Sequence, residues 1–129
     1  MYHRTFRLPD QSFLLVGPRG TGKTTWLRQA LPHAEWFDLL RMGTVLELIR
    51  DPERFRARIE ARPRGTWVVV DEIPKLPALL DEVQSIIADH GGKYRFALCG
   101  SSARKLRRME ANLLAGRVAV RQFFPLTLA

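Results

Sequence analysis

Phe13 to Val16, led by Ser12, is a short unbroken apolar run that stops at Gly17-Pro18, the pattern of a buried strand. Helix-compatible residues follow from about Gly22 to Leu31, where Pro32 ends them. Trp36 to Leu40 reads as a second strand, and Thr44 with Glu47 spells a capping box that opens a short helix through Arg50. Asp51-Pro52 then restarts a helix as N-cap and first helical residue, running to about Ala61. Beyond the turn Arg62-Pro63-Arg64-Gly65, Thr66 to Val70 is the strongest strand, aromatic and β-branched throughout.

Pro77 starts a helix whose apolar positions Leu79, Leu80, Val83, Ile86 and Ile87 share one face, and Gly91-Gly92 ends it. Tyr94 to Cys99 is a fourth strand, Ala103 to Ala115 a basic helix with Leu106, Met109 and Leu113 aligned, and Val118 to Phe123 a fifth strand before Pro125. Strands alternating with helices of this length mean βαβ units and a parallel sheet, so the expected class is α/β, in one continuous domain over 1–129.

Composition narrows the picture. The 129 residues, 46% hydrophobic and 26% charged, fit one soluble globular core and exclude a coiled coil, a collagen or a disordered chain. No apolar run is long enough to span a bilayer, and Met1 to Pro9 lacks the apolar stretch of a secretory signal. Cys99 is the single cysteine, so a reducing cytoplasm is the expected setting, and with scattered His3, His33 and His90 it makes no zinc site. The net charge of +8 favours acidic partners, nucleic acid among them. The arginines are spread over both halves, which fits an arginine-rich composition as well as a binding stripe.

Candidate chemistry lies between the first strand and the first helix. Gly17, Pro18, Arg19, Gly20, Thr21, Gly22, Lys23 and Thr24 fit G-x-x-x-x-G-K-[ST] at every fixed position, with Thr25 next. Glycines let such a loop curl so that backbone N–H groups point inward at phosphate, and the helix behind adds unpaired N–H groups and its dipole. Lys23 is placed to reach β- and γ-phosphates, and the Thr24 hydroxyl to ligate Mg²⁺. Val68-Val69-Val70 then delivers Asp71 and Glu72 to the carboxyl edge of the sheet, where ligands of such sheets bind. Asp71 suits Mg²⁺, and Glu72 the polarisation of an attacking water; two carboxylates are needed because a metal-bound one is a poor base.

A glutamate directly after the metal-site aspartate narrows the class to additional-strand P-loop ATPases, in which the strand before Ser101 and Ser102 carries a sensor of the γ-phosphate. A Ser-Ser pair after glycine also caps a helix, and the two serines could split these roles.

In combination these residues resemble a family. The phosphate loop through Leu27, Asp38-Leu39-Leu40, Trp67 to Ile73, Leu98 to Leu106, Leu114-Ala115-Gly116-Arg117 and Phe124 to Thr127 occur in the order found in prokaryotic AAA-type ATPases. Those proteins carry an N-terminal AAA domain followed by a C-terminal domain of unknown function. The resemblance implies a three-layer fold with a five-stranded, mainly parallel sheet, the phosphate-loop strand lying between the sensor strand and the fifth. It also implies ATP and Mg²⁺ as ligands, and ATP hydrolysis. Pro74 departs from the family, which commonly has glutamine there. Its members also run on well past the Phe-Pro-Leu-Thr segment, so a chain ending at Ala129 is expected to lack the helical lid.

Weaker signals remain. Arg117 matches the family's Leu-Ala-Gly-Arg element, either as a γ-phosphate sensor, as a finger presented to a neighbouring subunit, or as a surface residue. Arg104, Lys105, Arg107 and Arg108 form a basic run that reads as a solvated face or a DNA-phosphate contact, without interleaved aromatics. Trp26, Trp36 and Trp67 read as core or half-buried side chains in preference to a base platform. Phe123, Phe124, Leu126 and Leu128 arrive with little chain left to cover them, so self-association or marked stabilisation by Mg-ATP is expected. A non-catalytic nucleotide-sensing module and a small P-loop kinase are the alternatives to an ATPase.

Overall fold

The computed structural model describes residues 11–17, 23–112 and 119–122. Strands and helices alternate: β1 (Phe13–Val16), α1 (Lys23–Ala30), β2 (Glu35–Asp38), α2 (Met42–Arg50), α3 (Glu53–Glu60), β3 (Trp67–Asp71), α4 (Leu79–His90), β4 (Arg95–Gly100), α5 (Ala103–Asn112) and β5 (Ala119–Gln122). The strands form one sheet in the order β2-β3-β4-β1-β5, and each neighbouring pair is parallel. This is an α/β chain with a parallel sheet, compatible with a P-loop nucleotide-binding fold.

Parallel strands need crossovers, and here the helices supply them while burying both sheet faces. Side chains alternate along each strand, so β1 sends Phe13 and Leu15 to one face and Leu14 to the other. The thinner layer holds Leu27 and Leu31 from α1 and its end, packed against Val69, Ala97 and Cys99, with Trp26, Trp36 and Trp67 half-buried at its margin. The thicker layer takes Leu48 of α2, Phe55 and Ile59 of α3, Leu80, Val83 and Ile86 of α4, and Leu106 of α5. Each such buried side chain contributes roughly 1.5–3 kcal/mol of transfer free energy.

Several boundaries differ from the sequence reading for physical reasons. The capping box does not form: α2 begins at Met42, placing Thr44 inside the helix behind Arg41 as N-cap. Asp38 sets that start, because its side chain accepts the Leu40 N–H (3.0 Å) and its carbonyl the Arg41 N–H (3.1 Å). These bonds start the helix three residues earlier than the box requires. α4 likewise starts at Leu79, with Pro77 and Ala78 in the turn before it. Gly91 does end α4, at φ 61°, a conformation disfavoured for side chains with a Cβ.

The solvent-facing side of α2 was not anticipated. Val45 and Leu48 point into the core, whereas Met42, Leu46 and Ile49, with Leu40 just before the helix, are exposed. Phe123, Phe124, Leu126 and Leu128 lie outside the described residues, as do Leu113 to Val118. Among the described residues, no helix is long and apolar enough to cross a membrane.

Candidate functional site

The C-terminal ends of β1, β3 and β4 meet at one edge of the sheet. Gly17 N–H donates to the Gly100 carbonyl (3.2 Å), joining the entrance of the phosphate loop to the end of β4. Pro18, Arg19, Gly20, Thr21 and Gly22 lie outside the described residues; Lys23 and Thr24 open α1 on the far side of them. α1 then runs across the sheet and packs Leu27 against the face that carries Val69 and Ala97. That crossing carries the start of the helix toward the end of β3, although β4 separates β3 from β1.

The result is a contact between the two sequence motifs. The half-buried Thr24 hydroxyl donates to Asp71 Oδ2 at 3.2 Å, across 47 positions of sequence. Asp71 is 4% exposed and Glu72 5%, and with Ser12 they are the only buried polar or charged side chains among the described residues. Buried carboxylates are rare without partners, so their burial at a ligand edge marks them out. Asp71 also pairs in register with Asp38 of β2, whose side chain is occupied by the Leu40 N–H.

Glu72 carries a feature that residue type and spacing did not reveal. Its backbone is left-handed (φ 60°, ψ 51°), and it is the only non-glycine residue with positive φ among those described. A side chain in this region costs about 1–2 kcal/mol relative to the right-handed form. The surroundings impose it: a single 3₁₀ turn over Ile73–Lys75 follows at once, Lys75 N–H donates to the Glu72 carbonyl (2.9 Å), and Ile73 is fully buried. Strain held in place by packing concentrates at functional sites. Pro74, next but one after Glu72 and read from the sequence only as a departure from the family's glutamine, is a residue type that favours a turn here.

The two serines divide. Ser102 Oγ accepts the Lys105 N–H (3.2 Å) and its carbonyl accepts the Leu106 N–H (3.1 Å), so this residue caps α5. Ser101 stands immediately after β4, half-buried at the same edge as Asp71 and Glu72. Gly100 beside it lets α5 approach closely, since a Cβ there would press on the Leu106 side chain at 3.0 Å. Arg117 lies outside the described residues.

No group of three or more His, Cys, Asp or Glu side chains that could hold a metal occurs among the described residues. A cation at this edge would depend on the Thr24 hydroxyl, the Asp71 carboxylate and oxygens of a ligand, a hard-oxygen donor set that suits Mg²⁺.

The main ionic cluster lies elsewhere, between α3 and α4. Arg56 of α3 bonds Glu60, Ser85 and Asp89, and His90 meets Glu60 at 2.7 Å. The Asp89 hydrogen bond holds the Arg56 guanidinium above its ordinary value, and the His90 hydrogen bond, with Arg56 alongside, holds the Glu60 carboxyl below its own. This cluster fastens two helices of the thicker layer and touches none of the site residues.

Comparison with known proteins agrees with the geometry. No curated protein matches the chain. The family model described as AAA domain matches residues 9–129, a span that includes the phosphate loop, the β3 carboxylates and the serine pair. With that match over nearly its whole length, the chain belongs to the AAA domain family.

Proposed function

We propose that residues 1–129 form an additional-strand P-loop domain that binds ATP with Mg²⁺ and hydrolyses its β–γ bond. The observation that carries this reading is the Thr24–Asp71 hydrogen bond, which brings the phosphate-loop helix and the β3 carboxylates to one edge. The insertion of β4 between β1 and β3 supports the additional-strand class. Family membership supports nucleotide binding.

Each residue has a distinct task. Backbone N–H groups from Arg19 through Thr25 wrap the phosphates, the Gly17 N–H being held by the Gly100 carbonyl, and Lys23 meets the β- and γ-phosphates as a point charge. Mg²⁺, when bound, neutralises charge on those oxygens; Thr24 and Asp71 are the residues that would hold it. Glu72 accepts a proton from the water that attacks the γ-phosphorus, and ADP departs as the bridging bond breaks. Its strained backbone fixes the carboxylate at the sheet edge instead of leaving it on a mobile loop. Ser101 is the sensor hydroxyl, because Ser102 is committed to its cap. Arg117 serves the γ-phosphate, in this subunit or a neighbouring one.

Glu72→Gln beside the wild type is the test, with phosphate release and calorimetric titration of Mg-ATP on both. The amide keeps the shape and removes the base, so affinity should stay within a few-fold while release falls about 10²–10⁴-fold. Binding by both proteins with phosphate release by neither would instead make the chain a nucleotide-sensing module.

A further inference from the structure

The opposite edge of the sheet, where the strands begin, carries a second feature that nucleotide hydrolysis leaves unused. The end of α1, the loop leading to β2 and the 62–67 segment line an open cavity of about 370 Å³. Leu31, Pro32, Pro63 and Trp67 give it apolar walls, Arg62 and Arg64 give it charge, and no carboxylate lines it.

Beyond the cavity's own arginines, further cations on neighbouring elements lie over aromatic rings. The Arg28 guanidinium lies 4.1 Å from the Trp36 ring centre, Arg95 5.9 Å from that of Trp67, and Lys93 Nζ 5.3 Å from that of Tyr94. Backbone pairing holds these segments together: Gly65 N–H donates to the Lys93 carbonyl (2.8 Å) and Arg95 N–H to the Thr66 carbonyl (3.2 Å). Glu35 is the carboxylate at hand, and Arg58 and Arg62 already engage it. Arg64 and Arg95 are exposed and make no ion pair among the described residues. Two buried donors, Trp36 Nε1 and Arg62 Nε, have no acceptor among the described residues.

We propose that this edge binds single-stranded nucleic acid. An arginine stacked on an indole keeps its planar fork directed outward, pre-organised for a phosphate. Interleaved rings and cations are what a flexible strand needs: charge along its backbone and apolar surface for an unpaired base. The cavity is large enough for such a base, and its cations outnumber nearby carboxylates where an acidic protein would find no special use for the indole rings. The basic run of α5 has charge without aromatics; the edge near Trp36 and Trp67 has both.

The test is fluorescence anisotropy of a labelled oligo-dT strand with the full chain, across a salt series. Wild type should bind the strand more tightly than a duplex of equal length, with quenching of tryptophan emission. Arg64→Ala/Arg95→Ala should weaken binding at least tenfold and reduce the salt slope by about 1.4, at ~0.7 for each lost phosphate contact on a single strand. Calorimetric Mg-ATP affinity serves as the fold control and should be unchanged. Three results would overturn the proposal: no binding of oligo-dT, equal or tighter binding of duplex, or loss of binding on neutralising Arg104 and Arg108 but not Arg64 and Arg95. Binding of polyglutamate with none of oligo-dT would assign the edge to an acidic protein, and would equally overturn it.

Discussion

At the C-terminal edge of the sheet the distinctive charges are acidic, buried and fixed by backbone; at the N-terminal edge they are basic, more exposed and held by stacking. Asp71 ends an inner strand paired on both sides, and Glu72 directly after it is locked by a left-handed backbone against a buried Ile73. Arg28 and Arg95 lie over half-buried indoles and keep solvent contact. The difference fits the task proposed for each edge. Chemistry at a phosphorus atom demands placement to a fraction of an ångström, which rigid backbone supplies. Recognition of a flexible polyanion tolerates play, and its strength comes from charge number and stacking.

The largest expected effect is at the buried edge. Asp71→Ala removes the carboxylate assigned to Mg²⁺, and a metal's charge stabilisation is worth several kcal/mol in such reactions. Phosphate release should fall about 10²–10³-fold at saturating ATP, with no change in oligo-dT affinity. Equal loss at both edges would mean that the substitution had damaged the shared sheet instead.

A smaller effect separates strain from side-chain chemistry. Glu72→Gly and Glu72→Ala both delete the carboxylate, but only glycine adopts φ 60° freely. The glycine variant should be the more stable by roughly 1 kcal/mol in urea denaturation, since alanine retains the left-handed cost. Neither should hydrolyse ATP. An alanine variant as stable as the glycine one would show that the backbone there relaxes when the carboxylate goes.

The smallest effect concerns the α3–α4 cluster, which sits apart from the residues proposed to be catalytic. Glu60 is held below its ordinary value, so its stabilising contribution is complete above the unfolded carboxylate range near pH ~4.3. It fades as pH falls through the lower folded value. The stability gap between wild type and Glu60→Gln should therefore narrow as denaturation is moved from about pH 6 to pH 3. A gap that widened toward acid would contradict the assignment.

Much of the buried edge was legible in the sequence. The phosphate loop and the Asp71-Glu72 pair are read from residue identities at fixed spacing, and the parallel sheet from apolar runs separated by helical segments. What brought them together, the Thr24–Asp71 bond over 47 positions, is tertiary and has no local signature. The left-handed Glu72 is likewise imposed from outside, by Ile73 seeking the core. The start of α2 was misplaced because a Thr-x-x-Glu spacing competed with an Asp38 turn, and the turn won. The sequence reading set Trp36 and Trp67 in the core in preference to a base platform, because Arg28 and Trp36, or Trp67 and Arg95, become neighbours only when separate strands and helices assemble.

Calorimetric titration of Mg-ATP into wild type and Lys23→Ala tests the central claim most directly. Lys23 opens α1 beside the phosphate loop, and the substitution removes its charge at a helix position that alanine favours. The wild type should bind and the variant should show no measurable heat of binding, while circular dichroism and the melting temperature without nucleotide stay the same. A folded Lys23→Ala variant that bound Mg-ATP as tightly as the wild type would contradict a nucleotide site at this edge.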